Sequence, residues 1–301
     1  MTDKVVTMTC LPLRSTDTVF GRSKETGLSH HTIKLGKSFL ITEDNVDEYI
    51  TKMGDNIRKR ADGHGVILGL SGGVDSAVVA RLVQEAGVDL KCLMLPDGSA
   101  GKKASSYGDA INMAERFGID YQVIDIEQMV KSDKMEARGS MEKATPENRR
   151  LATINVPPRV RAKQLRFIGQ LESRRVIGTD NLAEQVTGYF TKGGDGDYDF
   201  CPLTNCTKGE VYILARALDV PEEIINKPPS AGLEEGQTDE AELGFTYAQI
   251  DNWILTDPHF SMQKDIDAKI KARYDATAHK RCMPYAFDVY DTPCIDVDLA
   301  R

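Results

Sequence analysis

The chain has 301 residues, 41% of them hydrophobic and 28% charged, which is ordinary for a folded globular protein with one large core. Its formal net charge of −8 argues against broad, nonspecific binding of nucleic acid, although a local basic patch stays compatible with it. No apolar run approaches the roughly 20 residues that a membrane-spanning helix needs, and the N-terminus carries no signal pattern. We therefore expect a cytoplasmic protein without a membrane partner.

The first 45 residues are polar and interrupted by glycines, and we predict that 1–45 is an extension of unknown role before a single domain over 46–301. His30 and His31 lack further ligand residues at metal spacing, which favours a surface or packing role. The cysteines form no Cys-x-x-Cys pair. We expect reduced thiols, rather than a disulfide or zinc framework, at Cys10, Cys92, Cys201, Cys206, Cys282 and Cys294.

From residue 44 onward the chain alternates between helical and strand patterns. Asp44 and Asn45 are candidate caps of a helix that Gly63 and Gly65 would end. Apolar runs and helical periods then predict strands at 66–70, 90–95 and 121–126, with helices at 77–84 and 104–117 between them. Such a series implies parallel strands joined by right-handed crossovers, so the expected fold class is α/β, a parallel twisted sheet flanked by helices.

The second half of the chain is predicted in less detail. The segment 131–150 is charged and has no apolar period, so we predict a loop there, either mobile near the site or simply solvated. A helix is expected after Pro157-Pro158, then a strand at 175–177, a loop and another helix start. Further helices are expected at 208–218, 247–255 and 264–276. The Pro/Gly-rich segment 228–237 is of the kind that closes over a ligand.

One loop points to chemistry. Directly after the strand predicted at 66–70, the chain reads Ser71-Gly72-Gly73-Val74-Asp75-Ser76. Two glycines permit a sharp turn close to a ligand, and the start of the following helix attracts anions. No lysine follows and a carboxylate lies inside, so the loop is neither a Walker loop nor a dinucleotide fingerprint. A carboxylate beside bound phosphates makes sense only if a hard cation such as Mg²⁺ lies between them.

This loop resembles the pyrophosphate-loop signature Ser-Gly-Gly-x-Asp-Ser of the N-type ATP pyrophosphatases, which have an adenine nucleotide alpha hydrolase-like fold and split ATP into AMP and pyrophosphate. Later strings are similar to one group of these enzymes, the ammonia-dependent NAD synthetases. The strings are Gly178-Thr179-Asp180-Asn181-Leu182-Ala183-Glu184 with 187–192, and 236–240 with 242–244. The similarity runs from about Val66 to Pro284.

The resemblance implies ATP-dependent amidation of deamido-NAD (nicotinic acid adenine dinucleotide) in two steps. The nicotinate carboxylate would attack the α-phosphorus of ATP and expel Mg-pyrophosphate, and ammonia would convert the acyl-adenylate to NAD and AMP. No residue would act as a covalent nucleophile, because alignment and charge neutralisation would carry the catalysis. The family is homodimeric, which implies a second copy of the chain as a partner.

The resemblance also implies roles for individual residues. Mg²⁺ would be bound by Asp75 and Glu184. ATP would be contacted by Ser71, Gly72, Gly73, Val74, Asp75, Ser76, Thr179, Lys208 and Ser230. Deamido-NAD would be contacted by Arg159, Lys192, Asp199, His279 and Lys280, and its two phosphates and carboxylate suit the cationic side chains of this group.

The sequence departs from the family pattern in three places. Ser230 stands where threonine is common, a change that keeps the hydroxyl. The following 231–233 reads Ala-Gly-Leu instead of Ala-Asp-Leu. The roughly 65 residues before the first strand of the sheet are too few for a glutaminase domain, so free ammonia is the expected nitrogen donor.

Several residues have a plainer interpretation. Without the family, the cationic group Arg159, Arg161, Lys163 and Arg166 reads better as a solvated helix face. Lys192 and Asp199 would then stabilise local turns, and Glu184 would be an exposed helix carboxylate.

Other functions also remain open. The same loop occurs in enzymes with a different acceptor, such as a tRNA-modifying adenylating enzyme or a GMP-synthetase-like amidotransferase. The acidic charge balance and single-domain length speak against the tRNA enzyme, so no nucleic-acid partner is expected. A nucleotide-binding protein that has lost catalysis would be expected to lack Asp75 or Glu184, and both are present.

Overall fold

The computed structural model describes residues 5–9, 30–34, 41–98, 104–229, 238–256 and 261–281. The strands in this part of the chain are β1 (Val5–Thr9), β2 (His30–Lys34), β3 (Gly65–Gly69), β4 (Leu90–Met94), β5 (Asp120–Val123) and β6 (Arg174–Val176). Its helices are α1 (Val46–Ala61), α2 (Val74–Glu85), α3 (Ala104–Arg116), α4 (Glu127–Glu136), α5 (Arg138–Lys143), α6 (Pro146–Ile154), α7 (Val156–Leu171), α8 (Leu182–Thr187), α9 (Lys208–Ala217), α10 (Glu222–Ile225), α11 (Asp239–Leu243), α12 (Tyr247–Leu255), α13 (Lys264–Ala276) and α14 (Ala278–Arg281).

A parallel sheet with the strand order β5-β4-β3-β6 confirms the predicted fold class. Val66 of β3 lies opposite Leu90 on one side and Arg175 on the other. From β3 the chain continues to β4 and β5 on one side of the sheet, whereas β6 pairs with β3 on the other side. The carboxyl ends of β3 and β6 therefore form the position where ligands bind in such sheets.

Apolar side chains on both faces of the sheet form the core. Val66 and Leu68 of β3 belong to a cluster with helices α1, α2 and α9, whereas Ile67 belongs to a second cluster that includes residues of α4 and α7. All three side chains are completely buried, and each such burial stabilises the fold by roughly 1.5–3 kcal/mol. The sheet is thus covered by helices on both faces, and β3 is fixed from above and below.

The predicted helix after residue 45 is confirmed, but its ends form differently. Asn45 is the N-terminal capping residue, yet its Oδ1 accepts a hydrogen bond from the Thr42 N–H at 2.8 Å and from no N–H of α1. At the other end, Asp62 adopts a left-handed conformation with φ 51°, so the last residue of the helix is Ala61, two positions before Gly63.

The loop predicted at 131–150 is wrong, because α4, α5 and α6 occupy this segment. Pro146 stands at the start of α6, where its missing N–H costs nothing, and the Thr145 hydroxyl accepts a hydrogen bond from the Asn148 N–H at 3.2 Å. Val130 is the one buried residue of α4, and α5 and α6 bury none. Helices that bury so little leave no apolar period in the sequence.

The remaining predicted helices are confirmed within a few residues at their ends, including α7 after the proline pair and α9, α12 and α13. The short helices α10, α11 and α14 were not predicted. Neither was the antiparallel pair β1 and β2, in which His30 and His31 lie opposite Thr9 and Met8. Cys92, Cys201 and Cys206 are free thiols, as expected, and the other cysteines lie outside the described residues.

The contacts divide the chain into two compact units. One unit comprises Met1–Ser38, Val186–Gly188 and Asn252–Arg301, and the other comprises Phe39–Gln185 and Tyr189–Asp251 and contains the parallel sheet. The boundary predicted after residue 45 stays a prediction. Within the described residues, every helix is too short or too polar to cross a membrane.

Candidate active site

The loop between β3 and α2 is a tight turn held by its own serines. Gly72 has φ 77°, a conformation that residues with a Cβ rarely adopt. Ser71 Oγ lies 3.0 Å from Ser76 Oγ and accepts a hydrogen bond from the Gly73 N–H at 3.2 Å. Ser76 Oγ donates to the Gly73 carbonyl at 3.0 Å. These bonds fix the start of α2 at the carboxyl end of β3, where its N–H groups can meet an anion.

Asp75, in the first turn of α2, is held between two distant residues. Asn181 Nδ2 donates to Asp75 Oδ1 at 3.0 Å, and Lys208 Nζ donates to Asp75 Oδ2 at 2.5 Å. The Lys208 side chain is only 3% exposed, and that of Asp75 is 19% exposed. The fold therefore brings the phosphate-type loop, the segment after β6 and the start of α9 together at one carboxylate.

Glu184 is fixed at the start of α8 by a reciprocal pair of hydrogen bonds with Asn181. The Asn181 N–H donates to Glu184 Oε2 at 2.9 Å, and the Glu184 N–H donates to Asn181 Oδ1 at 3.1 Å. This is the arrangement of a capping box. Because Asn181 also donates to Asp75, a single buried amide joins the two predicted metal ligands. Glu184 is half-buried, so the interpretation as an exposed helix carboxylate does not fit.

The electrostatics of this cluster are dominated by negative charge. Burial and the nearby Asp75 raise the pKa of Glu184 well above its usual range, and Lys208 offsets this only in part. Burial, Asp195 and Asp75 likewise raise the pKa of Asp180. For Lys208, burial alone lowers the pKa, but Asp75 and Glu184 outweigh it and raise the pKa above its usual value. One buried ammonium thus faces several carboxylates.

A divalent cation would relieve this excess of negative charge. Among the described residues, no group of three or more His, Cys, Asp or Glu side chains could hold a metal ion by itself. Mg²⁺ usually takes one or two carboxylates and completes its shell with water and substrate phosphates. Asp75 and Glu184 beside a phosphate-type loop therefore fit Mg²⁺ as a shared ion rather than as a permanently caged one.

The start of α9 carries two further contacts that the sequence analysis missed. Asp251 accepts hydrogen bonds from the backbone N–H groups of Lys208 and Gly209, at 3.1 and 2.8 Å. The ring of Tyr247 lies 4.9 Å from Lys208 Nζ. A signal was present in the sequence, since Tyr247 and Asp251 are four residues apart on a helix face whose other members are apolar. A carboxylate on a buried apolar face is costly unless it has a hydrogen-bonding partner, so its presence indicates such a partner.

The cationic face of α7 is only partly solvated. Arg161 donates to the carboxylate of Asp97 at 3.0 Å, just beyond β4, and Arg159 Nε donates to the Lys192 carbonyl at 3.4 Å. The side chains of Arg159 and Lys192 are both exposed. The structure thus brings together two of the residues predicted to contact deamido-NAD and leaves their side chains accessible to a ligand.

Both oxygens of the Asp199 carboxylate accept hydrogen bonds from other segments of the chain. Oδ1 accepts a hydrogen bond from Arg166 at 2.5 Å, and Oδ2 accepts one from the Val176 N–H at 2.7 Å. These partners lie 33 and 23 residues away along the chain, so Asp199 joins separate segments instead of stabilising a local turn, and its contact with deamido-NAD stays a prediction. A cleft of about 360 Å³ lies beside it, also lined by Arg166, Arg174 and Arg175.

The remaining residues predicted to contact ATP or deamido-NAD are Thr179, His279, Lys280 and Ser230. Thr179 follows β6 and is half-buried. His279 and Lys280 lie in α14, where Lys280 Nζ donates to the Gly188 carbonyl at 2.8 Å within the same compact unit. Ser230 lies outside the described residues, as does the rest of the predicted closing segment up to residue 237.

Known proteins resemble this chain over most of its length. The model of the NAD synthase family matches residues 45–284. An NH(3)-dependent NAD(+) synthetase of Carboxydothermus hydrogenoformans is 36% identical over 80% of this chain and 96% of its own. One of Archaeoglobus fulgidus is 36% identical over 82% and 99%.

Solved structures agree with these relatives. An NMN synthetase from Francisella tularensis superposes with a TM-score of 0.71 at 32% identity, over 82% of this chain and 99% of its own. An NH3-dependent NAD synthetase from Campylobacter jejuni superposes with a TM-score of 0.67 at 26% identity, over 81% and 99%. These neighbours have the N-type ATP pyrophosphatase fold, as the sequence predicts for this chain. From the family model and these identities, the chain belongs to the NAD synthase family.

Proposed function

We propose that this protein is a carbon–nitrogen ligase that amidates deamido-NAD with ammonia, consuming ATP and releasing NAD, AMP and pyrophosphate. The observation that carries the proposal is the cluster of Asp75, Glu184 and Lys208 beside the Ser71–Ser76 turn. It offers what an adenylating enzyme requires at the α-phosphate: N–H groups for phosphate oxygens, carboxylates for a metal ion and a buried ammonium. The curated relatives named above, both NH(3)-dependent NAD(+) synthetases, support the acceptor and the nitrogen donor.

The side chains divide the work between the two substrates. Ser71 to Ser76, with Thr179 and Ser230, would bind ATP, and Lys208 would contact its phosphates from the start of α9. Asp75 and Glu184 would hold Mg²⁺, which when bound neutralises charge on the pyrophosphate leaving group. Arg159 and Lys192, with Asp199, His279 and Lys280, would orient deamido-NAD so that its carboxylate reaches the α-phosphorus. Catalysis would come from alignment, since no residue need form a covalent bond.

A second acceptor is favoured by one specific observation. The Francisella tularensis neighbour is an NMN synthetase, and it is 32% identical to this chain. The mononucleotide with a free nicotinate carboxylate is therefore the alternative substrate. It has the same reacting group but lacks the adenylate half of the dinucleotide.

One assay separates these possibilities. The purified protein is incubated with ATP, Mg²⁺ and ammonium, together with either deamido-NAD or the nicotinate mononucleotide, and the nucleotides and pyrophosphate are quantified. We expect NAD, AMP and pyrophosphate in equal amounts from deamido-NAD, and a much smaller kcat/KM with the mononucleotide. The reverse preference would identify an NMN synthetase, and AMP without any amide product would contradict both.

Glutamine tests the nitrogen donor in the same assay. In ammonia-free buffer we expect glutamine to support no NAD formation, and equal rates with glutamine and ammonium would contradict the proposal. Asp75→Asn is the negative control for NAD formation with either donor, because it keeps the shape of the side chain but removes the charge that a metal ion needs.

We also propose that the protein works as a homodimer in the cytoplasm. Large apolar side chains on the helices α4, α6 and α7 support a partner surface, since Met135, Leu151, Phe167 and Leu171 are 75, 41, 61 and 71% exposed. Phe167 and Leu171 are four residues apart on one face of α7. Sedimentation at micromolar concentration should show a dimer, and a monomer at all concentrations would argue against this part of the proposal.

A further inference from the structure

We infer that Asp251, assisted by Tyr247, is a positioning residue that fixes Lys208 for its contact with ATP. The inference rests on the proposed function, because it concerns the same ATP site. Both side chains act on Lys208, one on its backbone and the other on its ammonium group.

All three leading N–H groups of α9 are occupied by side chains. Asp251 accepts from Lys208 and Gly209, and the Thr207 hydroxyl accepts from Glu210 at 3.3 Å. The Glu210 carboxylate completes a capping box by accepting from the Thr207 N–H at 2.8 Å. This helix start is therefore not open to a phosphate, unlike the start of α2. Its occupied N–H groups instead fix the backbone from which the Lys208 side chain extends.

The ammonium end of Lys208 is held as well. Its Nζ donates to Asp75 and lies over the ring of Tyr247, whose hydroxyl in turn donates to the buried carboxylate of Asp239 at 2.9 Å. Tyr247 and Asp251 are four positions apart on α12 and so lie on the same face of that helix. Side chains on one face of α12 therefore contact both the backbone N–H and the ammonium group of Lys208.

Asp251 satisfies the two N–H groups of α9 that the capping box leaves over, and by doing so it also fixes the backbone of Lys208. The capping box of Thr207 and Glu210 already stabilises the start of α9, and Asp251 itself is only 6% exposed. Burying another carboxylate is costly. What Asp251 adds is a fixed orientation for the first residue of α9, which is the residue that reaches Asp75.

The test is a double-mutant cycle on ATP affinity. The dissociation constant of Mg-ATP is measured by titration calorimetry for the wild type, Asp251→Asn, Lys208→Ala and the double variant. Asn keeps one acceptor oxygen but places an NH₂ group against the second N–H. We expect Asp251→Asn to weaken Mg-ATP about ten-fold, the lower end of what loss of an orienting partner costs. In the Lys208→Ala background the same change should have no further effect, because its target is gone.

Controls separate positioning from folding. Thr145→Ala removes a helix-capping hydroxyl from α6, outside the proposed ATP site, and should leave the ATP affinity within two-fold of the wild type. If Asp251→Asn does not fold, as judged by circular dichroism, Asp251→Glu takes its place in the cycle, because it keeps the charge on a longer side chain. Steady-state assays should show a raised KM for ATP and an unchanged KM for deamido-NAD.

Two results would overturn the inference. One is a folded Asp251 variant with wild-type ATP affinity, and the other is an equal loss of affinity with and without Lys208. Failure of the proposed function looks different. In that case the wild type binds Mg-ATP but forms neither NAD nor AMP.

Discussion

Asn181 offers the most direct test of the site, because its buried side-chain amide contacts both residues that are predicted to bind the metal ion. Its side chain donates to Asp75 and accepts from the Glu184 N–H, and the residue is completely buried. Asn181→Ala removes both side-chain bonds but leaves the backbone N–H that Glu184 also uses. Asp75 then loses its bond from the amide, and Glu184 loses the bond that fixes its backbone, while both carboxylates keep their charge.

The size of the effect follows from the bonds removed. A hydrogen bond to an ionised acceptor contributes about 1.5–3 kcal/mol and a neutral one about 0.5–1.5 kcal/mol. We therefore expect the free energy of unfolding to fall by about 2–4 kcal/mol. Loss of a partner that orients a metal ligand typically weakens metal affinity by about ten- to a hundred-fold. The Mg²⁺ concentration for half-maximal activity should rise by a similar factor.

The assay combines urea unfolding with NAD formation over a series of Mg²⁺ concentrations. Asn226→Ala is the matched control, since Asn226 ends α10 and its amide donates to the exposed Glu222 at 2.9 Å. That variant should change stability by less than about 0.5 kcal/mol and leave the Mg²⁺ requirement as it is. An Asn181→Ala protein that is destabilised yet needs no more Mg²⁺ than the wild type would refute the link between Asn181 and the metal ligands.

Three further predictions concern individual charges. Asp75→Asn or Glu184→Gln should leave the fold intact and abolish most turnover at saturating Mg²⁺, because each removes a ligand of the metal ion that neutralises the pyrophosphate leaving group. Near-normal rates would exclude the two-carboxylate assignment. Arg159→Ala or Lys192→Ala should raise the KM for deamido-NAD about ten- to a hundred-fold and that for ATP much less, since each removes a charge-assisted contact of about 1.5–3 kcal/mol; the opposite pattern would reassign this pair. Burial raises the pKa of Asp251 to about 6, so the folded state binds this proton more tightly than the unfolded chain does. Relative to Asp251→Asn, the wild type should therefore gain roughly 1 kcal/mol of stability in urea unfolding between pH 7 and pH 5, and a difference that does not vary with pH would contradict the raised pKa.

The fold of the sheet region could be predicted because its signals are local. Buried strands such as 66–70 are short apolar runs, and the turn at Gly72 needs a conformation that glycine provides. The prediction of a loop at 131–150 failed for the opposite reason. Its helices depend on Thr145, Pro146 and ion pairs such as that of Lys131 with Glu127, and they bury almost nothing. Helices of that kind lack the apolar period on which the prediction relied.

By itself the sequence determined the parallel α/β architecture, the phosphate-type turn and the family, since each is carried by residues that are neighbours along the chain. Only the tertiary structure decided which side chains meet. Lys208 lies 133 residues from Asp75, Asn181 lies 106 residues from it, and Asp251 lies 43 residues from the N–H of Lys208 that it binds. No local pattern encodes such pairs, because the strand order of the sheet and the packing of α9 and α12 set the distances between them.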